Sequence, residues 1–167
     1  MTREQPAWYE TIVVPALLRH ARGTYGAAMR RALDDAGYDD IPENGLYVIG
    51  GLAMNAGDVP LGRLVHELRI SKQAAGQLVD TLVMRGYVTR EGDPADRRKL
   101  VITLTERGRD AAAVQGAARD RIDASLHERI GDSGVRALRR GLAALIEIGR
   151  AERESAEGTT ATGGKTA

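Results

Sequence analysis

Gln73 and Gln77 are four residues apart, a spacing that places both side chains on the same face of a helix. A glutamine amide can pair through two hydrogen bonds with the edge of adenine in the DNA major groove. Lys72 can reach guanine or a phosphate, and Ser71 before it is a favourable N-cap. Gly76, between the glutamines, removes bulk that would keep the helix out of a groove. These residues predict a helix that reads the major groove, although each one alone is also typical of an ordinary solvent-facing surface.

Three consecutive cations, Arg97, Arg98 and Lys99, lie shortly after the turn-forming sequence Gly-Asp-Pro. The chain has a net charge of only +1, but residues 61–100 carry eight Lys and Arg against five Asp and Glu. An arginine inserted into a narrow minor groove meets an enhanced negative potential. Asp96 could pair with Arg98 and orient its guanidinium. The cations therefore predict a second DNA contact, although a charge run is also typical of a solvated surface.

Apolar periodicity indicates which elements carry these two groups of residues. Apolar side chains that recur three and four positions apart predict helices over residues 8–36, 41–55, 61–68, 72–85, 106–130 and 134–154. β-favouring sequence, with period-2 alternation in the second strand, predicts two strands, 87–91 and 100–104, joined by a turn cluster. The order of elements predicts a mainly α fold with a small β-hairpin, in the α+β class. The Gly- and Thr-rich tail from residue 158 is expected to be disordered.

The helices predicted over 61–68 and 72–85 are joined by about three residues, which is a helix-turn-helix pattern. In this arrangement the second helix would enter the major groove with its N-terminal residues at the base edges. The hairpin would carry the three cations at its tip towards the adjacent minor groove. The two predicted contacts are thus compatible with a single way of docking on duplex DNA.

Other classes of protein find little support in the sequence. The chain has no Cys, which excludes disulfides and thiol chemistry. It contains no P-loop, dinucleotide-binding or nucleophile-elbow motif, and its three His show no paired ligand spacing. We therefore expect no enzymatic activity, no cofactor and no metal site. No signal peptide or stretch of about 18 apolar residues is recognisable, so we expect a cytoplasmic protein without membrane contact.

The sequence Asp-Pro-Ala-Asp-Arg-Arg-Lys-Leu-Val-Ile-Thr-Leu-Thr-Glu-Arg-Gly over residues 93–108 resembles the wing and the following helix start of MarR-family regulators. The family pattern there is Asp, any residue, Arg, then a short strand that ends in Leu-Thr, any two residues and Gly. Residues 71–74 and 78–88 resemble the family's recognition helix and its exit. The helical ends match in order, so the resemblance covers roughly residues 13–150.

The resemblance implies a winged helix-turn-helix homodimer whose N- and C-terminal helices interleave. On this chain it implies an N-terminal dimerisation helix over residues 8–36 and a DNA-binding lobe over 41–104. Dimerisation helices would follow over 105–154, with a disordered tail over 155–167. Such regulators bind palindromic double-stranded DNA and usually repress transcription. Many release the DNA when a small aromatic or anionic effector binds.

The resemblance also implies roles for individual residues. Arg98, oriented by Asp96 and flanked by Arg97 and Lys99, would enter the minor groove. The residues that fall where the family reads the major groove are Ser71, Lys72, Gln73 and Gln77. The polar or aromatic side chains that could line an effector pocket are Trp8, His20, Tyr25, Tyr47, Arg63 and His66. Packing or surface solvation would explain these six residues equally well.

The alternative is a winged-helix module that binds another protein, because this fold hosts both roles. Phosphate contacts make DNA affinity fall steeply with salt, whereas a protein interface need not show this dependence.

Overall fold

The computed structural model describes residues 7–54, 59–60, 70–92 and 100–162. A short 3₁₀ helix covers Trp8–Thr11, and the α-helices are α1 (Val14–Asp35), α2 (Gly45–Met54), α3 (Lys72–Met84) and α4 (Glu106–Thr162). The strands are β1 (Val59–Pro60), β2 (Val88–Gly92) and β3 (Leu100–Leu104). The predicted class, mainly α with a small β-hairpin, is confirmed. The chain divides into two units, residues 1–122 and 123–167.

Both ends of α3 are fixed by local hydrogen bonds. The Ser71 hydroxyl oxygen accepts from the backbone N–H of Ala74 at 3.1 Å, which confirms the predicted N-cap. At the other end Gly86 adopts φ 74°, a left-handed conformation that costs glycine little. The N–H of Gly86 then bonds to Val83 O at 2.9 Å and that of Tyr87 to Leu82 O at 2.9 Å. This pair of bonds is a Schellman motif, and it turns the chain from α3 into β2.

The three strands form one antiparallel sheet in the order β1-β3-β2. The predicted hairpin is confirmed. Its register pairs Val88 with Leu104 at the base and Gly92 with Leu100 at the other end. The sequence did not predict β1, which pairs Val59 with Ile102. Two residues are too few to show a period-2 pattern, so only the pairing with β3 reveals this strand.

The buried core joins the helices of the first unit to the sheet. Its fully buried large side chains come from α1, α2, α3, β2, β3 and the turn before β2, namely Leu33, Ile49, Leu52, Leu82, Ile102, Val48, Val79, Val88 and Tyr87. The predicted stripe of α3 is largely confirmed, but Val83 at its end is 38% exposed. The opposite face of α3 is therefore left for other contacts.

The start of α4 explains the Leu-Thr-x-x-Gly sequence. The Thr105 hydroxyl donates to Gly86 O at 2.6 Å and accepts from the N–H of Gly108 at 3.0 Å. A Cβ at position 108 would collide with the carbonyl of Tyr87, so only glycine fits there without a shift of the backbone. Thr105 and Gly108 thus join the beginning of α4 to the turn that follows α3.

Several predicted boundaries differ from the structure. The first helix was predicted from residue 8, but a 3₁₀ turn precedes α1, whose first turn contains Pro15. The second was predicted from residue 41, but α2 begins at Gly45, because Ile41 and Pro42 lie in the preceding turn and Ile41 is buried. The helix predicted over 61–68 lies outside the described residues.

The second unit contains the predicted break in the C-terminal helices. Gly131 has φ 64° and ψ 177°, which interrupts the helical backbone of α4. Next to this break, His127 Nε2 lies 2.6 Å from Asp132 Oδ1. The helix then extends to Thr162, so the disordered tail predicted from residue 155 does not begin there. None of the helices in the described residues has the length and apolarity needed to cross a membrane.

Candidate DNA-binding interface

The residues predicted to read DNA lie together at the beginning of α3. Ser71, Lys72, Gln73 and Gln77 are all exposed, whereas Ala75, Val79 and Leu82 on the opposite face are buried. The burial of that face prevents α3 from rotating about its axis, so the polar face has a fixed direction. A Cβ at Gly76 would meet no atom within 4 Å, which leaves a shallow gap between the two glutamines. The role of Ser71, Lys72, Gln73 and Gln77 in DNA binding stays a prediction.

An ion pair joins α3 to the wing strand β2. Arg90 Nη1 donates to Asp80 Oδ1 at 2.6 Å, and both side chains are partly exposed. Asp80 follows Gln77 by three positions on the polar face, where an unpaired carboxylate would repel DNA phosphates. The pairing with Arg90 offsets that charge, so the aspartate does not by itself argue against a DNA-binding face.

The predicted minor-groove residues, Asp96, Arg97, Arg98 and Lys99, lie outside the described residues. Only the base of the wing is described. There the Thr89 and Thr103 hydroxyl oxygens are 2.5 Å apart across the two strands. The assignment of the wing cations to DNA therefore stays a prediction.

A polar network that the sequence did not reveal lies behind the exit of α3. The buried Tyr87 donates a hydrogen bond to Asp40 Oδ1, and Arg107 Nη2 donates to Tyr87 Oη at 2.9 Å and to Asp40 Oδ1 at 3.3 Å. The Arg107 guanidinium also lies 4.7 Å from the centre of the Tyr87 ring. Tyr87 and Asp40 lie 20 and 67 positions from Arg107 in the sequence, so no local pattern could have indicated the contact.

The network sets the protonation of its members. The hydrogen bond from Tyr87, helped by the Arg107 charge, lowers the pKa of Asp40 below its usual value although partial burial opposes this. Burial, with the hydrogen bond to Asp40, raises the pKa of Tyr87. At neutral pH Asp40 is therefore a carboxylate, and the protonated Tyr87 hydroxyl donates a hydrogen bond to it.

The structure describes four of the six residues predicted to line an effector pocket. Trp8 is 70% exposed and contacts Tyr9 edge to face, while His20 is exposed on α1. Tyr25 is half-buried on the same helix. Arg63 and His66 lie outside the described residues. Of the four described residues, Tyr47 lines one of the two clefts described below, and Trp8, His20 and Tyr25 line neither. The assignment of the six residues to an effector pocket stays a prediction.

Tyr47 lines a cleft of about 470 Å³ between α1 and α2. Arg22 covers its ring at 4.7 Å and donates from Nε to its hydroxyl oxygen at 3.4 Å. Arg30, in the same cleft, donates to the backbone carbonyls of Ile41 at 2.7 Å and Pro42 at 3.1 Å. Its charge therefore already stabilises the turn before α2.

A larger cleft, of about 880 Å³, is formed by α1, α2, β3 and the first half of α4. Its walls are mostly apolar and include Met29, Leu52 and Met54. Gln115 also lines it and is buried. Its Nε2 donates to Leu46 O at 3.0 Å, and a Cβ at Gly50 would collide with this amide.

The other amide atom of Gln115 is in an unusual position. Its Oε1 is buried and accepts no hydrogen bond from any residue in the described part of the chain. A buried acceptor without a partner costs about 1–3 kcal/mol. The amide cannot be turned round at no cost, because Oε1 would then face the carbonyl oxygen of Leu46. The cleft therefore contains a side chain that would gain from a hydrogen-bond donor.

Comparisons with known proteins agree with this architecture. S. pneumoniae FabT in complex with DNA has a TM-score of 0.69 at 18% identity, over 81% of this chain and 94% of that one. NadR in complex with 4-hydroxyphenylacetate has a TM-score of 0.68 at 22% identity, over 84% and 97% of the two chains. At these identities the similarity establishes the fold alone, a winged helix-turn-helix.

The sequence comparisons identify the family. The model of the MarR family matches residues 40–99. The uncharacterised HTH-type transcriptional regulator YhbI of Bacillus subtilis is 30% identical over 96 residues, 56% of this chain, and the match spans 60% of YhbI. Residues 40–99 of this chain match the MarR family, which confirms the resemblance inferred from the wing sequence.

Proposed function

We propose that the chain is a transcriptional regulator that binds a near-palindromic DNA operator as a homodimer and represses transcription. The observation that carries this proposal is the exposed polar face at the beginning of α3. Four side chains that can contact bases or phosphates lie there on a helix whose other face is buried. An exposed helix of this kind fits the major groove, and the N-terminal residues of a recognition helix are those that meet base edges.

Exposed apolar side chains support the homodimer. In the second unit Leu138, Leu142, Leu145 and Ile146 recur along one face of α4 and are 36–56% exposed. In the first unit the residues at the start of α1 and just before it are similarly exposed, with Val13 at 69%. Contiguous exposed apolar surface is typical of an interface. A second copy of the chain would bury both surfaces and supply the two recognition helices that a palindrome requires.

Selection of binding sites from random duplex DNA at moderate salt tests this function. A dimer is expected to enrich a near-palindrome whose half-site centres are about one helical turn, roughly 34–36 Å, apart. A folded dimer that enriches no sequence, and whose residual DNA affinity changes little with salt, would favour the protein-binding alternative. Repression is tested by placing the selected operator over a promoter.

Single substitutions on α3 separate base reading from general charge. Gln77→Ala should cost about 1–3 kcal/mol of discrimination at one base pair. Lys72→Ala should weaken binding to all sequences and reduce the salt slope by about 1 for each half-site. Arg31→Ala is the matched control, because Arg31 is an exposed cation on α1, and it should change neither quantity. Equal effects of Lys72→Ala and Arg31→Ala would contradict the assignment of α3 to DNA.

The large cleft beside Gln115 supports a second part of the proposal, a response to a small molecule. The family resemblance implies an aromatic or anionic effector, but the two arginines of this cleft are already engaged. Arg109 donates to Leu104 O at 3.0 Å, and Arg119 pairs with Asp120 at 2.7 Å. The apolar walls instead favour a largely apolar ligand, and a small shift of the buried Gln115 amide would let its unpaired Oε1 accept from one donor on that ligand.

The methionines allow this ligand chemistry to be measured directly. Met29 and Met54 line the cleft, whereas Met84 at the end of α3 does not and is 80% exposed. In a protein labelled with ¹³C at the methionine methyl groups, phenol should shift the signals of Met29 and Met54 and leave that of Met84 unchanged. Phenol should bind about tenfold more tightly than its methyl ether anisole, which has no donor. Benzoate should bind more weakly than phenol.

Gln115→Leu removes the acceptor and should abolish the preference for phenol over anisole. Equal binding of the two probes to the unmodified chain would contradict the role of Oε1. Tighter binding of benzoate would instead favour the anionic effector. If no probe shifts Met29 or Met54, the cleft is not the effector site.

A further inference from the structure

The chain around Gly86, where α3 ends, is held from two sides. On one side Thr105 donates to Gly86 O at 2.6 Å, and its N–H bonds to Tyr87 O at 3.1 Å. On the other side Asp40 contributes both its backbone carbonyl and its side-chain carboxylate. Its backbone carbonyl accepts a hydrogen bond from Arg85, and its carboxylate accepts one from Tyr87. The residues on either side of Gly86 are thus fixed to the loop between α1 and α2.

Arg107 extends this network to α4. It lies in the first turn of that helix and donates to both Tyr87 Oη and Asp40 Oδ1. Its guanidinium also lies within 5.7 Å of the Tyr38 ring centre, so the loop contributes an aromatic contact as well. Asp40 is the only carboxylate that these contacts share among the described residues, and its charge balances that of Arg107.

This anchor holds the C-terminal end of α3, in addition to the buried face that prevents rotation about the helix axis. The helix has 13 residues, and its reading face lies at the end remote from Gly86. At 1.5 Å per residue it is about 20 Å long, so a tilt of roughly 10° at the anchored end moves the other end by about 3 Å. A recognition contact tolerates displacements of only about 0.5 Å. A small loss of order behind Gly86 is therefore amplified at Ser71, Lys72 and Gln73.

We propose that Asp40 is a positioning residue for DNA recognition, which acts through Tyr87, Arg85 and Arg107 to fix the orientation of α3. The inference rests on the proposed DNA-binding function. Asp40 need not touch DNA in this role. Its loss should reduce the discrimination between operator and random DNA, and the phosphate contacts that give non-specific affinity should remain.

The test compares Asp40→Asn and Tyr87→Phe with the full-length wild-type chain. Asp40→Asn keeps the backbone carbonyl for Arg85 but removes the charge, and Tyr87→Phe keeps the ring and removes the hydroxyl. The matched control is Ile49→Val, which leaves a small cavity in the same core at a fully buried residue of α2 outside the network. The dissociation constants for the selected operator and for random DNA are measured by fluorescence anisotropy, well below the unfolding midpoint of each variant.

Asp40→Asn is expected to weaken operator binding at least about tenfold, with the affinity for random DNA and the salt slope unchanged. Tyr87→Phe should act in the same direction, and the double variant should lose less than the two separate effects combined. Ile49→Val should lower the unfolding midpoint without changing operator affinity. If Asp40→Asn leaves operator affinity unchanged, or if Ile49→Val reduces it equally, the positioning role is overturned. A wild-type chain that selects no operator overturns the proposed function itself.

Discussion

Gly108→Ala tests how tightly α4 is joined to the turn after α3. A Cβ at this position would lie 3.0 Å from the Tyr87 carbonyl carbon and 3.1 Å from Leu104 Cδ2, and it would collide with the carbonyl oxygen. The peptide group cannot move away freely, because Tyr87 O accepts from the N–H of Thr105 and the Tyr87 side chain is buried. The substitution must therefore separate α4 from this turn or strain both.

The size of the effect follows from three opposing contributions. Overpacking of this kind costs about 1–3 kcal/mol. Each hydrogen bond that breaks as the carbonyl shifts costs about 1 kcal/mol more. Alanine in a helix gains about 1 kcal/mol over glycine. With one hydrogen bond broken, we expect a net loss of about 1–3 kcal/mol in the free energy of unfolding, or roughly 2–12 °C in the unfolding midpoint of a chain of this size.

Chemical and thermal unfolding at one fixed protein concentration measure this loss. Gly116→Ala is the control within the same helix, because the nearest atom to its Cβ would be Arg119 Nη2 at 3.9 Å. That variant should be as stable as the wild type or more stable by up to about 1 kcal/mol. Equal stability of the Gly108 and Gly116 variants would refute the argument for a close contact at Tyr87.

Three further substitutions test other parts of the account. Gly76→Ala should raise the free energy of unfolding by up to about 1 kcal/mol and yet weaken operator binding, because the added methyl group fills the gap that faces the groove; tighter binding would contradict this. Asp40→Asn should lower the free energy of unfolding near pH 7, and this deficit should shrink below about pH 4. The pKa of Asp40 is lower in the folded chain than in the unfolded chain, so the carboxylate stabilises the fold above the unfolded pKa. This stabilisation is lost as the pH falls through the folded pKa. A deficit in urea unfolding that stays constant between pH 7 and pH 3 would argue against that ionic contribution. Arg98→Ala should reduce DNA affinity more than Lys99→Ala does, whereas equal small losses would mean that the wing is not inserted.

Local signals account for what the sequence predicted. Ser71 marks the start of α3 because its hydroxyl satisfies an N–H that has no partner within the helix. The break at Gly131 follows from a residue that readily adopts positive φ, and β3 follows from the alternation of Leu100, Ile102 and Leu104. In each case the deciding interaction lies within a few residues of the signal.

The features that the sequence did not predict depend on residues far apart in the chain. Gln115 reaches Leu46 over 69 positions, and the gap that admits it comes from Gly50, which the sequence alone shows only as a weak point in a helix. Asp40 reads as an ordinary loop residue until the fold brings Tyr87 and Arg107 to it. Among the described candidate effector residues Tyr47 lines one of the two clefts and Trp8, His20 and Tyr25 line neither, because aromatic or basic type says nothing about which helix faces enclose a cleft.

The most direct test of the central claim, that the exposed face of α3 reads DNA bases, is a binding-site selection run in parallel on the wild type and on Gln77→Ala. We predict that both recover the same near-palindrome, and that the variant loses its preference at one position in each half-site while the other positions are retained. Identical base preferences for the two proteins would contradict the claim, and they would show that Gln77 does not contribute to the recognition of sequence.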